Sequence, residues 1–175
     1  MNPREVKRRL NIAISIFFEN DKYLLENDVY ERTITHKLAE YLQILFNQYN
    51  VDCEYNKNVE HKTGNHDGYK TIITLQNEIE RLNLAQDEES KERLVYPDII
   101  IHKRGNNENN LLIIEVKKDS EKKKEKIDFD YLKLVKYTER ASDFKYGLGA
   151  FIMFSTLVPN PIVTKLDYFQ EGEVI

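Results

Sequence analysis

Several features that would assign this chain to a common functional class are missing from its sequence. The 175 residues include one cysteine, Cys53, so neither an intrachain disulfide nor a CxxC zinc site can form. No apolar run approaches the roughly 20 residues that a membrane-spanning helix requires. There is no GKS or GKT phosphate loop, and Gly147 and Gly149 lack the third glycine of a dinucleotide-binding loop. These absences argue against a disulfide-stabilised secreted protein, a membrane protein and a P-loop nucleotidase.

An excess of positive charge is missing as well. The chain has 26 basic and 30 acidic residues, which gives a formal net charge of −4. A nucleic-acid partner would therefore have to be attracted by a local patch, and residues 1–10 (net +3) and 115–126 (net +2) are the candidates. Hydrophobic residues make up 41% and charged residues 32%, which is typical of an ordinary globular domain. We therefore predict a single domain over residues 1–175.

The N-terminal segment, residues 1–20, superficially resembles a secretory signal, because basic residues precede an apolar run. The run is short, however, and is followed by Glu19 and Asp21 rather than by a small-residue cleavage site. Its apolar residues recur at helical spacing: Val6, Leu10, Ala13, Ile14 and Phe17. We therefore predict an amphipathic helix and a cytoplasmic protein that does not enter a membrane.

The remaining sequence predicts an α/β domain whose core covers residues 28 to about 155. The predicted elements are a helix over 28–49, a strand over 51–55, a strand pair over 94–103 and 111–117, a helix over 128–144 and a strand over 147–155. Residues 56–70 have the polar, glycine-containing composition of a loop, and residues 71–93 give a mixed pattern. The last strand follows a helix, so it should run parallel to the strand over 111–117.

Charged residues lie at one end of the predicted strand pair. Facing residues in an antiparallel hairpin have a constant index sum, and a turn centred between residues 106 and 107 pairs Asp98 with Glu115. Lys117 leaves the strand on the same face as Glu115, whereas Val116 between them points into the core. The hairpin should therefore bring two carboxylates and a lysine together at one strand end.

Two carboxylates roughly 5 Å apart repel each other unless a cation or a proton lies between them. Oxygen ligands from Asp98 and Glu115, with the backbone carbonyl of Val116, suit Mg²⁺ or Mn²⁺ rather than zinc. Such an ion lowers the pKa of bound water and neutralises charge on a phosphoryl oxygen. Lys117 could orient that water, assist its deprotonation or stabilise the pentacovalent charge. The residues predict chemistry suited to phosphodiester hydrolysis.

The pattern Pro97-Asp98, followed after sixteen residues by Glu115-Val116-Lys117, resembles the PD-(D/E)XK nuclease superfamily, which includes restriction endonucleases and junction resolvases. The resemblance implies a restriction-endonuclease-like αβββαβ core with a mixed central sheet flanked by helices. It also implies that Asp98 and Glu115 hold the metal and that Lys117 is the catalytic lysine. Glu31 matches the acidic residue that an earlier helix often adds to the site. Glu31 could equally be only the capping-box partner of Asp28.

Five basic residues are candidate substrate contacts: Arg32, His36, Lys118, Lys133 and Lys136. Arg32 and His36 are four residues apart, so they share one helix face, and a solvated surface is their plainer interpretation. Lys133 and Lys136 are chosen because related folds often place a basic or amide residue on the crossover helix. Lys118 belongs to the lysine-rich segment that could contact phosphates.

The leading hypothesis is a divalent-metal-dependent nuclease, most simply a DNA endonuclease. The principal alternative is a nuclease-fold module that binds nucleic acid or protein within a defence or repair complex and no longer cuts. RNA as the substrate is a third interpretation. Because the basic patches are small, a homodimer or a partner subunit would be expected to add contacts to the nucleic acid.

Overall fold

A computed structural model describes residues 1–55, 71–73, 92–94, 96–105, 107–121 and 123–175. The predicted loop over 56–70 and most of the mixed segment over 71–93 lie outside the described residues. The helices are α1 (Pro3–Asp21), α2 (Tyr23–Glu26), α3 (Glu31–Leu45) and α4 (Lys124–Thr138). The strands are β1 (Asn50–Cys53), β2 (Thr71–Ile73), β3 (Glu92–Leu94), β4 (Ile99–His102), β5 (Leu112–Lys118), β6 (Gly149–Phe154), β7 (Val163–Gln170) and β8 (Glu173–Val174).

Helix α1 confirms the predicted amphipathic N-terminal helix. The Asn2 side chain accepts a hydrogen bond from the Glu5 backbone N–H at 2.9 Å, and Pro3 occupies the first helical position, where its missing N–H costs nothing. The buried residues of α1 are those of the predicted stripe: Val6, Leu10, Ala13, Ile14 and Phe17. None of the described helices is both long and apolar enough to cross a membrane.

Helix α3 is shorter than the predicted helix over 28–49, and the predicted capping box is wrong. The helix begins at Glu31, with Tyr30 at the N-cap, and none of the described side chains caps it. Asp28 lies outside the helix in the left-handed backbone region, with φ at 48°. Its carboxylate accepts a hydrogen bond from Ser120 at 2.8 Å, so a residue distant in sequence takes the place of the expected local partner.

The main sheet has six strands in the order β1-β4-β5-β6-β7-β8. Strands β5 and β6 are parallel, as predicted, and the other neighbouring pairs are antiparallel. Strand β7 extends the sheet beyond β6. The sequence of this tail, which contains Pro159 and Pro161, predicts either an irregular segment or a closing strand, and the structure has the strand. Strands β2 and β3 form a separate antiparallel pair. The protein is therefore a mixed α/β structure with a mixed six-stranded sheet flanked by helices.

Helix α4 is the crossover between the parallel strands β5 and β6. It begins at Lys124 and ends at Thr138, whereas the sequence predicts a helix over 128–144. Glu139 ends it by adopting an extended backbone, with ψ at 140°. Every residue of β6 is buried, which confirms the prediction of an apolar strand covered on both faces.

The sheet separates two hydrophobic clusters. Val116 and Ile114 point toward α1 and α3, and Ile113 points toward α4. Because side chains alternate along a strand, Glu115 and Lys117 lie on the α4 side. The strand end that carries these two charged residues is therefore enclosed between the sheet and the crossover helix.

Candidate active site

The hairpin of β4 and β5 has the register that the sequence predicts. Ile99 faces Ile114 and Ile100 faces Ile113, so the same register places Asp98 beside Glu115 just past the end of the ladder. The backbone N–H of Val116 donates a hydrogen bond to Asp98 Oδ2 at 2.7 Å. The half-buried Asp98 side chain is therefore held against the strand that carries Glu115.

Lys117 lies between two carboxylates that come from different helices. Its Nζ is 3.0 Å from Glu31 Oε1, at the first residue of α3, and 3.1 Å from Asp130 Oδ2 on α4. The same ammonium group donates to the backbone carbonyl of Val116 at 3.2 Å. Three elements of the fold thus determine where the Lys117 ammonium group lies.

Glu115 is fully buried and is held by a second lysine. Lys133 Nζ, from α4, lies 2.6 Å from Glu115 Oε2 and 2.8 Å from Asp130 Oδ1. Glu115 Oε1 is also buried, but no hydrogen-bond donor from the described residues reaches it. A buried carboxylate oxygen without a donor is energetically costly, so this atom marks a point at which a further positive group would be favourable.

Ion pairs join five side chains, and Asp98 interacts electrostatically with the two lysines among them. The six residues are called the carboxylate–lysine cluster below: Glu31, Asp98, Glu115, Lys117, Asp130 and Lys133. The cluster contains Asp130, which sequence reasoning missed. Asp130 lies three residues before Lys133, a spacing that permits a pair on one helix face. That spacing alone says nothing about burial, and the Asp130 side chain is 6% exposed.

Burial and neighbouring charges together shift the pKa values within the cluster. Burial raises the pKa of Asp98 from its ordinary 3.8 to about 6, although Lys117 and Lys133 act in the opposite direction. Burial also raises the pKa of Glu115 well above its ordinary value. Burial acts to lower the pKa of Lys117, but nearby carboxylates, Asp130 foremost, outweigh it and raise the pKa. Lys117 therefore remains an ammonium ion at neutral pH.

The donor set of the cluster suits a hard divalent cation. Asp98 and Glu115 supply carboxylate oxygens, and Glu115 Oε1 lacks a donor among the residues that the structure describes. With every group ionised, the four carboxylates exceed the two ammonium groups by two negative charges, the charge of one such ion. Among the described residues, no group of three or more His, Cys, Asp or Glu side chains is arranged to hold a metal. Glu31, the predicted additional ligand, is paired with Lys117.

Asp98 opens onto a cleft of about 380 Å³. Its lining residues are Glu31, Arg32, Thr35, His36, Cys53, Glu54 and Asp98. Arg32 and His36, both predicted substrate contacts, therefore share a cleft with a predicted metal ligand. The Arg32 side chain is 85% exposed and its Nε lies 2.7 Å from Glu54 Oε1, while His36 Nδ1 lies 3.3 Å from Glu40. Both side chains are exposed on the wall of the cleft, so their predicted contact with a substrate stays a prediction.

The structure does not support a substrate contact by Lys118. Its side chain is 3% exposed, and its Nζ donates to the Val29 carbonyl at 3.0 Å and pairs with Asp28 at 3.2 Å. These contacts attach the segment before α3 to β5, which is a structural role. The reason is the alternation of the strand, because Lys118 shares the face of Val116 and not that of Lys117.

The two candidates on the crossover helix have different environments. Lys133 is buried in the carboxylate–lysine cluster, where it contacts Glu115, and its predicted contact with a substrate stays a prediction. Lys136 lies nearer the surface and pairs with Glu139 at 3.2 Å. Lys136 therefore remains a candidate for contact with a phosphate.

Comparisons with protein-family models, with curated proteins and with solved structures find no match for this chain. The argument for a function therefore depends on the geometry and chemistry of the site.

Proposed function

We propose that this protein is a divalent-cation-dependent nuclease of the PD-(D/E)XK type that hydrolyses DNA. The observation that carries the proposal is the meeting of Asp98, Glu115 and Lys117 on one face at the end of the β4–β5 hairpin. The separate β2–β3 pair lies between β1 and β4 in the chain; apart from it, the order α3-β1-β4-β5-α4-β6 supports the proposal, because it follows the αβββαβ order that the resemblance implies.

In this proposal, Asp98 and Glu115 hold Mg²⁺ or Mn²⁺, with the Val116 carbonyl as a third oxygen donor. When bound, the ion supplies Lewis-acid activation of water and neutralises charge on the phosphoryl group. Val116 also accepts a hydrogen bond from Lys117, which keeps the lysine beside these oxygen donors.

Lys117 acts as a charged hydrogen-bond donor in the proposed reaction. The carboxylates around it raise its pKa, so its ammonium group keeps its proton at neutral pH. It is therefore suited to orienting the attacking water and to stabilising negative charge on the phosphoryl oxygens as the phosphorus–oxygen bond breaks. Glu31 and Asp130 position this group by holding it from two helices.

The cleft beside Asp98 supports a phosphodiester substrate, because Arg32 and His36 lie on its wall. Glu54 and Glu31 share the cleft, and the chain carries a formal net charge of −4. Electrostatic attraction to DNA should therefore be modest, and raising the salt concentration should weaken the binding further. A second copy of the chain or a partner subunit would add phosphate contacts and would allow both strands of a duplex to be cut.

A cleavage assay tests the proposal. Supercoiled plasmid and single- and double-stranded oligonucleotides of DNA and RNA are incubated with wild type in Mg²⁺, in Mn²⁺ or in EDTA. We expect metal-dependent cleavage of DNA, and a loss of about 100-fold or more in the Lys117→Ala variant. Lys22→Ala is the matched control, because the Lys22 side chain is 55% exposed and pairs only with Glu26 in the contacts described. Equal background cleavage by wild type and Lys117→Ala contradicts the proposal.

A binding module without catalysis is the second candidate function. It is favoured by the pairing of Glu115 with Lys133, which already neutralises part of the charge that a cation would compensate. This candidate predicts nucleic-acid or protein association that Glu115→Ala leaves unchanged, with no metal-dependent turnover. Cleavage that Glu115→Ala abolishes would exclude it.

A further inference from the structure

Lys133 occupies a position that the proposed chemistry does not require. Its ammonium group is carried into the interior by α4, and its side chain is 8% exposed. Burying an ammonium ion is costly unless it is closely paired, and Lys133 has two carboxylate partners, Glu115 at 2.6 Å and Asp130 at 2.8 Å. The pairing with Glu115 uses a carboxylate that the proposed metal site also needs.

The two oxygens of Glu115 have contrasting environments. Oε2 is in contact with Lys133 Nζ, whereas Oε1 is buried and has no donor within the part of the chain that the structure describes. The Lys133 ammonium group therefore provides a hydrogen-bond donor for one of the two carboxylate oxygens. A divalent cation that binds Glu115 would have to displace Lys133 from Oε2 or tolerate a like charge a few ångströms away, and either event costs binding free energy.

Asp130 supplies the alternative partner for this ammonium group. Its Oδ1 is 2.8 Å from Lys133 Nζ, on the same helix and three residues earlier. If the contact with Glu115 is lost, the Lys133 ammonium group therefore still has the buried Asp130 carboxylate as its ion-pair partner. The same Asp130 carboxylate, through Oδ2, lies 3.1 Å from Lys117, so it contacts both lysines of the cluster.

We propose that Lys133 is an internal counter-ion that holds Glu115 in the cation-free protein and that competes with the divalent cation for this carboxylate. Asp130 keeps the Lys133 ammonium group when the cation takes its place. The inference rests on the proposed cation site at Asp98 and Glu115. It makes Lys133 a positioning residue that maintains the site when no cation is bound and sets how tightly the cation binds.

Titration with Mn²⁺ tests this role independently of cleavage. Wild type, Lys133→Gln and Lys133→Met are compared by isothermal calorimetry and by the electron paramagnetic resonance signal of free Mn²⁺. The proposal predicts that both variants bind Mn²⁺ tighter by about tenfold or more, because a competing unit charge has been removed. It also predicts that Mn²⁺ raises their melting temperatures more than that of wild type. If Lys133→Met fails to fold, Lys133→Gln still tests the proposal, because glutamine keeps a neutral hydrogen-bond donor at this position.

Two controls assign the effect to this site. Lys22→Gln removes a lysine from an exposed pair and should leave Mn²⁺ affinity unchanged. In a Glu115→Gln background, Lys133→Gln should no longer tighten binding, because the contested carboxylate is absent.

The outcomes separate this inference from the proposed function. If wild type binds Mn²⁺ and cuts DNA but Lys133→Gln binds Mn²⁺ no more tightly than wild type, the counter-ion role is overturned and the proposed function is not. If neither wild type nor the Lys133 variants bind Mn²⁺, both the cation site and the counter-ion role are refuted. Binding by the variants but not by wild type supports competition by Lys133 most directly.

Discussion

Replacement of Asp98 by asparagine is expected to stabilise the cation-free protein at pH 8 and to abolish cleavage. Burial raises the pKa of Asp98 to about 6, against an ordinary value of 3.8, so the folded protein holds this proton more tightly than the unfolded chain does. Ionisation of Asp98 therefore disfavours the folded state. An asparagine carries no charge, and its side-chain oxygen can still accept the hydrogen bond that the Val116 N–H donates.

The size and pH range of this effect follow from the two pKa values. The interval from 3.8 to about 6 corresponds to about 3 kcal/mol of unfolding free energy. The penalty is absent below about pH 4, grows as pH rises toward 6 and is complete above it, because only the ionised form is disfavoured. For a chain of this length, about 3 kcal/mol raises the melting temperature by roughly 6–12 °C. These figures are upper limits, because a partly buried amide has its own desolvation cost.

Urea and thermal unfolding in EDTA, from pH 4 to pH 8, measure the difference between Asp98→Asn and wild type. The difference should be near zero at pH 4 and largest at pH 7–8. Glu108→Gln is the matched control, because it removes one carboxylate charge from an exposed position in the turn at the other end of the hairpin. A variant that is no more stable than wild type at pH 8, or a difference that does not change with pH, refutes the reasoning.

Two further predictions concern the framework around the site. Lys118→Met should lower the unfolding free energy by about 2 kcal/mol in urea, because it leaves the Asp28 carboxylate without its buried ammonium partner; a loss below about 0.5 kcal/mol would contradict the structural role of Lys118. Gly149→Val should cost about 1–3 kcal/mol in the same assay, with Gly149→Ala less affected. The reason is that a Cβ at Gly149 would lie 3.1 Å from Phe169 Cβ and 3.2 Å from Thr138 Cγ2. If the valine variant were as stable as wild type, the neighbouring strand β7 would have to move away from β6 without cost, which would contradict this prediction.

Local patterns were sufficient to predict helix α1, the core helices and strands in their order, and the hairpin register. The apolar spacing in α1 identifies the buried stripe, because a helix turns every 3.6 residues whatever it packs against. The asparagine-rich turn and the two β-branched runs specify which residues of β4 and β5 face each other. Once that register is set, the meeting of Asp98 with Glu115 follows from strand geometry alone.

Helix boundaries were predicted less well, since they depend on contacts that are distant in sequence. Asp28 has the residue type and the spacing of an N-cap, but Ser120 and Lys118 hold it outside α3. The sequence around Asp28 contains no sign of these partners, which come from the far end of β5 and the turn that follows it.

What the sequence by itself determined is the order of elements, the pairing within the hairpin and the residue types at one strand end, since periodicity and turn chemistry act over a few residues. Only the tertiary structure decided that Lys133 and Asp130 enter the interior beside Glu115 and that Lys118 is buried on the opposite face. The physical reason is that the charge state and the partners of a buried side chain depend on how α3 and α4 pack across the sheet. That packing is a sum of many long-range contacts that no local pattern records.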